Sequence, residues 1–382
     1  MVPILQLFMA IGKVVISANT SWNLVNFRAG LIRALVVAGY EVIAVAPHDE
    51  YVPKLKELGC HVVALPIDMH GRHIGRDLLL FFRYFMIMRQ HMPSIYLGFT
   101  VKPNIYGSLA AHIHGIAVVN NIGGLGAVFS RKGGWLLYLL RVLYRGALSR
   151  SHKIFFQNKD DHLKFIEERI INNQLTDQLP GSGIDLEWFS YVPKIIGDNN
   201  RVQFLLIARM LWDKGIAEYI MAARILRIDY PNTRFILLGF LDDKNPSAIS
   251  KSQMDKWVKE GIIEYHGISD DVKINIDKAD CVVLPSYYRE GVPHALLESA
   301  AVGRPIITTD SVGCRETVDD KISGYLCRPK DAVDLAEKMK LMLMLDHKQR
   351  VRMGKYGREK MKCEFDEKIV IQKYLEVVQE CC

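Results

Sequence analysis

Two stretches of this chain concentrate side chains that can handle a phosphate and the hydroxyl-bearing body attached to one. The denser is Pro285–Ser286–Tyr287–Tyr288–Arg289–Glu290–Gly291–Val292–Pro293–His294–Ala295–Leu296–Leu297–Glu298. It follows the apolar run Cys281–Val282–Val283–Leu284, turns at Gly291 and opens a helix near Pro293, where a missing N–H costs little. The open amides of a helix start, with the macrodipole behind them, stabilise an anion. Glu290 in the loop and Glu298 about a turn into the helix then flank an anion site. That is chemically sensible where both carboxylates hold hydroxyls of one ligand; the plainer alternative is a helix cap and a solvated glutamate. The second stretch, Ala208–Arg209–Met210–Leu211–Trp212–Asp213–Lys214–Gly215, also lies past a strand and before a helix. Arg209 as a planar fork and Lys214 as a point charge suit a diphosphate. Either residue alone reads as a surface cation, and their shared position beyond a strand end favours a joint role.

Such loops need a scaffold, and hydrophobic patterning supplies one. Val14–Val15–Ile16–Ser17 reads as a strand, followed by a helix with Leu24, Phe27, Leu31 and Leu35 on one face and a stop at Gly39. Val42–Ile43–Ala44–Val45, a short helix from Val52 to Leu58, and His61–Val62–Val63–Ala64–Leu65 continue a β-α-β-α-β pattern; Val118–Val119 and Ile154–Phe155–Phe156 read as later strands. A second series holds Phe204–Leu205–Leu206–Ile207, a helix from Ile216 to Ile228, Phe235–Ile236–Leu237–Leu238–Gly239, Ile262–Ile263–Glu264–Tyr265, Cys281–Val282–Val283–Leu284 and Ile306–Ile307. The α/β reading is therefore two Rossmann-like domains, one over 1–182 and one over 201–365. Residues 183–200 form a linker in this reading, and a helical tail over 366–382 can close either domain, crossing back to the first being one of the two arrangements. Ligands of such sheets lie beyond the strand carboxyl ends, here expected in a deep cleft between the domains.

Composition narrows the class. The 382 residues are 49% apolar and 24% charged, a soluble globular balance. Seven cysteines, an odd count with no C-x-x-C pair, point to a reducing compartment. The most apolar stretch, Leu78 to Met88, contains Arg83 and falls short of the ~20 residues of a membrane span. Met1 to Gly12 lacks a basic start and reads as an extension of the first strand, not a signal peptide. Charge is asymmetric: residues 1–159 carry 17 Lys/Arg against 6 Asp/Glu, and the remainder 32 against 36. In the basic half, Arg72, Arg76, Arg83 and Arg89 accompany Leu78, Leu79, Leu80, Phe81, Phe82, Phe85 and Met86. Arg131, Lys132, Arg141, Arg145 and Arg150 accompany Trp135, Leu136, Leu139 and Leu140. Cations beside large apolar side chains suit an anionic membrane surface, the alternative being core-facing helices with solvated arginines. No nucleic-acid motif accompanies the charge, so that partner is not expected. The chain has no Walker motif, no G-x-G-x-x-G, no H-E-x-x-H and no Asp-x-Asp, which argues against an ATPase, a dehydrogenase and a bound metal.

Glu290 and Glu298 form an E-x7-E element, followed by Ala300–Ala301–Val302–Gly303–Arg304–Pro305–Ile306–Ile307; Arg209, Lys214 and Gly215 form R-x4-K-G; and Pro180–Gly181–Ser182–Gly183–Ile184–Asp185 precedes both. This set resembles the retaining family-4 glycosyltransferases of GT-B fold over nearly the whole chain. In the first half, Ser21–Trp22–Asn23–Leu24–Val25–Asn26–Phe27–Arg28, Lys102–Pro103–Asn104–Ile105–Tyr106–Gly107 and Gly123–Gly124–Leu125–Gly126–Ala127–Val128–Phe129 carry a likeness to one branch. It is the capsule and lipid-linked-oligosaccharide branch, which includes N-acetylgalactosaminyltransferases acting on undecaprenyl-diphosphate sugars. One departure is the loop after the first strand, Ala18–Asn19–Thr20–Ser21, where many members carry a Gly-Gly pair.

The resemblance implies a UDP-sugar donor, with an N-acetylhexosamine as the transferred sugar, and no cofactor or metal. It places Arg209 and Lys214 on the diphosphate, Glu290 on the sugar and Glu298 on the ribose, with Gly291, Val292 and Pro293 around the donor. Catalysis falls to Glu290, Arg209 and Lys214, and Ser21, Asn23, Lys102 and Asn104 are acceptor-side candidates. The implied acceptor is a polyprenyl-diphosphate-linked saccharide at the cytoplasmic face of the membrane. Two other readings stay open: a nucleotide-sugar 2-epimerase of similar fold, and a non-catalytic nucleotide-binding module.

Overall fold

The computed structural model describes residues 11–68, 73–124, 134–171, 175–194, 201–242, 245–269 and 271–382. The chain forms two compact units, one of residues 1–183 with 367–382 and one of residues 184–366.

In unit 1 the strands are β1 (Lys13–Ser17), β2 (Glu41–Ala46), β3 (His61–Ala64), β4 (Ile95–Phe99), β5 (Ala117–Ile122), β6 (Lys153–Phe156) and β7 (Thr176–Gln178). They form one sheet in the order β3-β2-β1-β4-β5-β6-β7, with every pair parallel. Both faces are covered, which is why β1 reads as an unbroken apolar run rather than an alternating one. The covering helices are α1 (Ser21–Val37), α2 (Val52–Glu57), α3 (Ile74–His91), α4 (Ser108–Ile113), α5 (Trp135–Leu148) and α6 (Lys159–Glu167). Thr20 caps α1 by accepting from the Asn23 amide at 3.0 Å. The last helix of the chain, α13 (Glu367–Cys381), packs on α1 and sends Val370, Tyr374, Val377 and Val378 into this core.

Unit 2 holds β8 (Gln203–Ile207), α7 (Ile216–Asp229), β9 (Arg234–Leu238), α8 (Lys251–Lys259), β10 (Glu264–Tyr265), α9 (Val272–Lys278), β11 (Cys281–Leu284), α10 (His294–Val302), β12 (Ile306–Thr309), β13 (Gly324–Cys327), α11 (Ala332–Met344) and α12 (His347–Glu364). Its sheet runs β10-β9-β8-β11-β12-β13, again parallel throughout. Counted within each unit, both sheets start in the order 3-2-1-4-5-6 of the doubly wound dinucleotide-binding fold. The order reverses between β1 and β4 in unit 1 and between β8 and β11 in unit 2.

Three expectations change. Residues 184–194 are not a free linker: Ile184 is buried in the unit 2 core, and Leu186, Phe189 and Val192 pack against it. Arg304 and Arg358 hold the segment by donating to the carbonyls of Val192 at 2.7 Å and Phe189 at 2.7 Å. Phe27 is only half-buried, and the α1 position that faces the core is Arg28. β4, which no pattern announced, is a fully buried central strand. The apolar opening over 1–10, Arg72, residues 125–133 of the glycine-rich run and its basic neighbours, and the linker residues 195–200 lie outside the described residues.

Candidate active site

At the switch point of unit 2, β8 and β11 lie side by side in register, Phe204 against Cys281 and Leu205 against Val282. Their following loops therefore emerge together, and these are the R-x4-K-G and Glu290 loops. The Asp213 carbonyl accepts from the amides of both Tyr287 and Tyr288 at 3.0 Å, pinning one loop to the other. Gly215 makes this approach possible: it has φ +76°, and a Cβ there would fall 2.1 Å from the Pro285 carbonyl oxygen. Gly313, with φ +83°, packs beneath the Glu290 loop, where a Cβ would meet the Gly291 carbonyl oxygen at 1.9 Å.

The result is a direct ion pair. The Lys214 ammonium donates to Glu290 Oε1, which also accepts from the Ser286 hydroxyl at 3.1 Å. Both side chains of the pair are nearly buried, 12% and 13% exposed. Lys214 Nζ also lies 5.2 Å from the centre of the Tyr288 ring, on its electron-rich face. Arg209 stands apart from this pair, 3.6 Å from Asp242 and 39% exposed. Gly291 and Pro293 are buried and Val292 half-buried. Pro293 is the N-cap of α10 and offers no side-chain acceptor to the first turn, so no side chain at the cap competes with an arriving anion. One turn on, His294 Nδ1 contacts Glu298 Oε1 at 2.8 Å and steadies that carboxylate. Behind the loop, burial pushes the Tyr287 phenol up to about 12, reinforced by the charges of Glu218 and Asp213.

Sequence patterning pointed to Arg209, Lys214, Glu290 and Glu298 but not to Ser286, Tyr288 or His294. A serine, a tyrosine and a histidine carry no distinguishing spacing; only the fold aims them.

The acceptor-side candidates of unit 1 are mostly engaged within the fold. Ser21 receives Asp49 Oδ2 on its amide at 2.9 Å and gives its hydroxyl to the Pro47 carbonyl at 2.7 Å. Asn104 is 1% exposed, donating to the Asn121 carbonyl at 2.8 Å and accepting from Asn120 at 2.9 Å. Lys102 is ion-paired with Asp77 at 2.6 Å. The half-buried Asn23 gives its amide to the Thr20 cap. Among the described residues no His, Cys, Asp and Glu side chains gather as a metal cluster. No described helix is long and apolar enough to cross a membrane.

Two parallel α/β units, with cations and carboxylates gathered where the second sheet reverses, define the GT-B class of glycosyltransferase. The family model "Glycosyl transferases group 1" matches residues 193–360, and "Glycosyl transferase 4-like" matches residues 13–158. The chain thus carries one domain of each of these two glycosyltransferase families. It is 28% identical over 369 residues to the N,N'-diacetylbacillosaminyl-diphospho-undecaprenol alpha-1,3-N-acetylgalactosaminyltransferase of Campylobacter jejuni, covering 93% of this chain and 95% of that protein. It is 23% identical over 322 residues to the capsular polysaccharide biosynthesis glycosyltransferase CapM of Staphylococcus aureus, covering 81% and 82%. Among solved structures, HepE of Anabaena in complex with UDP and glucose superposes with a TM-score of 0.76 at 16% identity, covering 96% of this chain and 99% of that one. The sucrose-phosphate synthase of Thermosynechococcus elongatus superposes with a TM-score of 0.78 at 16% identity, covering 96% and 98%.

Proposed function

We propose that the protein is a retaining glycosyltransferase that moves a sugar from a UDP-sugar to a polyprenyl-diphosphate-linked saccharide in cell-surface polysaccharide assembly. The observation that carries this reading is the Lys214–Glu290 pair at the switch point of unit 2, beside the uncapped start of α10. Lys214 is oriented by Glu290 and Ser286, so it presents a fixed positive charge to the donor diphosphate. Arg209, more exposed, closes on the same phosphates as a fork. Glu290 then serves the sugar hydroxyls, and Glu298, held by His294, the ribose.

In same-face substitution the bond between the anomeric carbon and the diphosphate oxygen breaks as the acceptor hydroxyl oxygen bonds to that carbon. The acceptor proton passes to the leaving phosphate oxygen, so no side-chain base is required. Negative charge grows on the diphosphate, and a cation aimed there lowers the barrier. With Lys214 and Arg209 supplying that charge, the reaction runs without a divalent metal. The donor assignment is supported by the solved relative that holds UDP, and the acceptor by the Campylobacter relative, whose name specifies a diphospho-undecaprenol-linked sugar and N-acetylgalactosamine. An N-acetylhexosamine is accordingly the proposed transferred sugar.

A lipid-linked acceptor implies work at a membrane surface, here its cytoplasmic face, and α3 is suited to it. Ile74, Leu78, Leu79, Phe82 and Met86 are exposed along this helix, with Arg83 and Arg89 exposed beside them. Leu80, Tyr84, Ile87 and Met88 hold its opposite face to the core. On α5 the basic group is partly engaged within the fold. Arg141 is consumed by a bidentate pair with Glu168 at 2.8 and 2.7 Å, and Arg145 donates to the Arg169 carbonyl at 2.9 Å. The test is transfer from a panel of nucleotide sugars to polyprenyl-diphosphate-linked saccharides, with the anomeric configuration of the product read by NMR. Product of inverted configuration, or an epimer formed without acceptor, rejects the proposal.

A further inference from the structure

The face that α1 turns to the core is Ser21, Leu24, Arg28, Leu31, Ile32 and Leu35. Helical spacing calls for an apolar residue in the middle of that stripe, and the chain has an arginine there. Arg28 is 6% exposed, and its Nε and Nη1 are buried without a hydrogen-bond partner among the described residues. Of the two buried arginines of unit 2, Arg304 gives all three guanidinium nitrogens to backbone carbonyls, and Arg350 leaves its Nε unpartnered but gives its Nη1 to the carbonyls of Met342 and Leu345. What Arg28 has is a ring: its guanidinium carbon lies 4.2 Å from the centre of Phe99. A cation–π contact recovers only part of what an unpaired buried cation loses in hydration, and arginine cannot escape by deprotonating.

Its position gives the anomaly direction. Helical side chains tilt toward the helix N-terminus, so the Arg28 head reaches toward the strand carboxyl ends. Phe99 is the last residue of β4, which pairs with β1 at the switch point of unit 1, where doubly wound sheets bind ligands. The next residue, Thr100, has φ +66°, an outlier for a β-branched side chain, and its buried hydroxyl has no partner either. Around them the wall is fixed: Tyr374 packs on Phe99 and Phe155 and accepts from Asn121 at 2.9 Å, and Asn121 accepts from Gln157 at 3.1 Å. Unused N–H donors of a guanidinium and an unused hydroxyl at one strand end suit a phosphate.

We propose that Arg28, with Thr100, forms an anion subsite in unit 1 that takes the diphosphate of the acceptor, a step that rests on the acceptor reading above. The charge is kept in the core against stability because the ligand completes it.

The test uses Arg28→Met and Arg28→Lys in the full chain. Removing an uncompensated buried cation while keeping its volume should leave the melting temperature unchanged or raise it by a few degrees. With UDP saturating the donor site, inorganic pyrophosphate and farnesyl diphosphate should each raise the melting temperature of wild type. They should leave Arg28→Met unmoved, and farnesol should shift neither protein. A shift by farnesyl diphosphate alone assigns the subsite to the lipid-linked form, and a shift by pyrophosphate alone assigns it to a free diphosphate. The acceptor KM should rise by roughly 10²-fold in Arg28→Met and less in Arg28→Lys, with the affinity for UDP unchanged. A destabilised Arg28→Met with unaltered acceptor KM, or ligand shifts that persist in it, overturns the proposal. If no acceptor supports transfer while the diphosphate shifts still depend on Arg28, the subsite stands and the acceptor reading falls.

Discussion

The Lys214 ammonium is hydrogen-bonded to the Glu290 carboxylate across two loops 76 residues apart in sequence. Parallel pairing of β8 with β11 delivers the two loops to one place, and the Asp213 carbonyl locks them there. Without donor the pair neutralises itself. In the proposed mechanism a diphosphate entering beside it competes with Glu290 for the ammonium and releases the carboxylate toward the sugar.

Replacing Lys214 or Arg209 with Ala should lower turnover by ~10²–10³, about 3–4 kcal/mol of transition-state stabilisation. Stability separates the two. Arg209 is half-buried and only loosely paired, so Arg209→Ala should leave stability within about 0.5 kcal/mol. Lys214→Ala strands a nearly buried carboxylate and should cost about 3 kcal/mol, of which Lys214→Ala with Glu290→Ala recovers a part. Chemical denaturation and steady-state kinetics on the four variants check this. Wild-type turnover in a folded double variant at 209 and 214 removes both residues from the site.

Dialysis against EDTA should leave activity intact if, as proposed, side-chain cations supply the charge that a metal-dependent transferase takes from its ion. Loss of activity restored by Mn²⁺ or Mg²⁺ would contradict the phosphate assignment.

The sheet segments whose apolar runs stand alone, among them Val14–Ser17, Phe204–Ile207 and Cys281–Leu284, are legible in the sequence, as is the position of the catalytic candidates at strand ends. What tertiary context decides is not. β4 carries Tyr96 and Gly98 and has no alternation, because a central parallel strand is buried on both faces. The packing of 185–192 depends on Arg304 and Arg358 from far along the chain. Arg28 escapes pattern reading because periodicity assigns the core position to the neighbouring apolar Phe27, while the structure buries the charge. The Lys214–Glu290 contact was equally invisible, since spacing shows which loops meet and not which atoms touch.

Glu218 on α7 gives a pH-dependent prediction. Its Oε2 is buried without a hydrogen-bond partner among the described residues, and burial raises its pKa above the ordinary carboxylate value. A raised carboxyl binds its proton more tightly in the folded state. Stability is therefore fully present below the unfolded pKa of about 4.3 and falls as pH rises through the higher folded value. Glu218→Gln should match wild type in acid and become the more stable protein at pH 8. Thermal unfolding from pH 4 to 8 reads the difference, and a constant gap would show that the carboxylate carries no linked penalty.

Membrane docking should follow α3 rather than the arginines of α5. Each exposed cation near an anionic surface contributes about 1 kcal/mol, screened over about 8 Å at physiological ionic strength. Arg83 and Arg89 can supply that component, whereas Arg141 is already neutralised by Glu168. Leu78, Phe82 and Met86 follow one another at four-residue intervals and add an apolar component that salt does not weaken. Co-sedimentation with phosphatidylglycerol vesicles should show binding at low salt and a residue of binding at high salt. Replacing Leu78, Phe82 and Met86 with Ser should abolish that residue, and Arg83→Gln with Arg89→Gln should remove the salt-sensitive part. Arg141→Gln should instead lower stability, because it leaves Glu168 half-buried with its bidentate partner gone. If wild type stays in the supernatant at low salt, α3 is not a docking helix and a soluble acceptor replaces the lipid-linked one. The proposed donor site draws only on residues of unit 2 and is unaffected by that outcome.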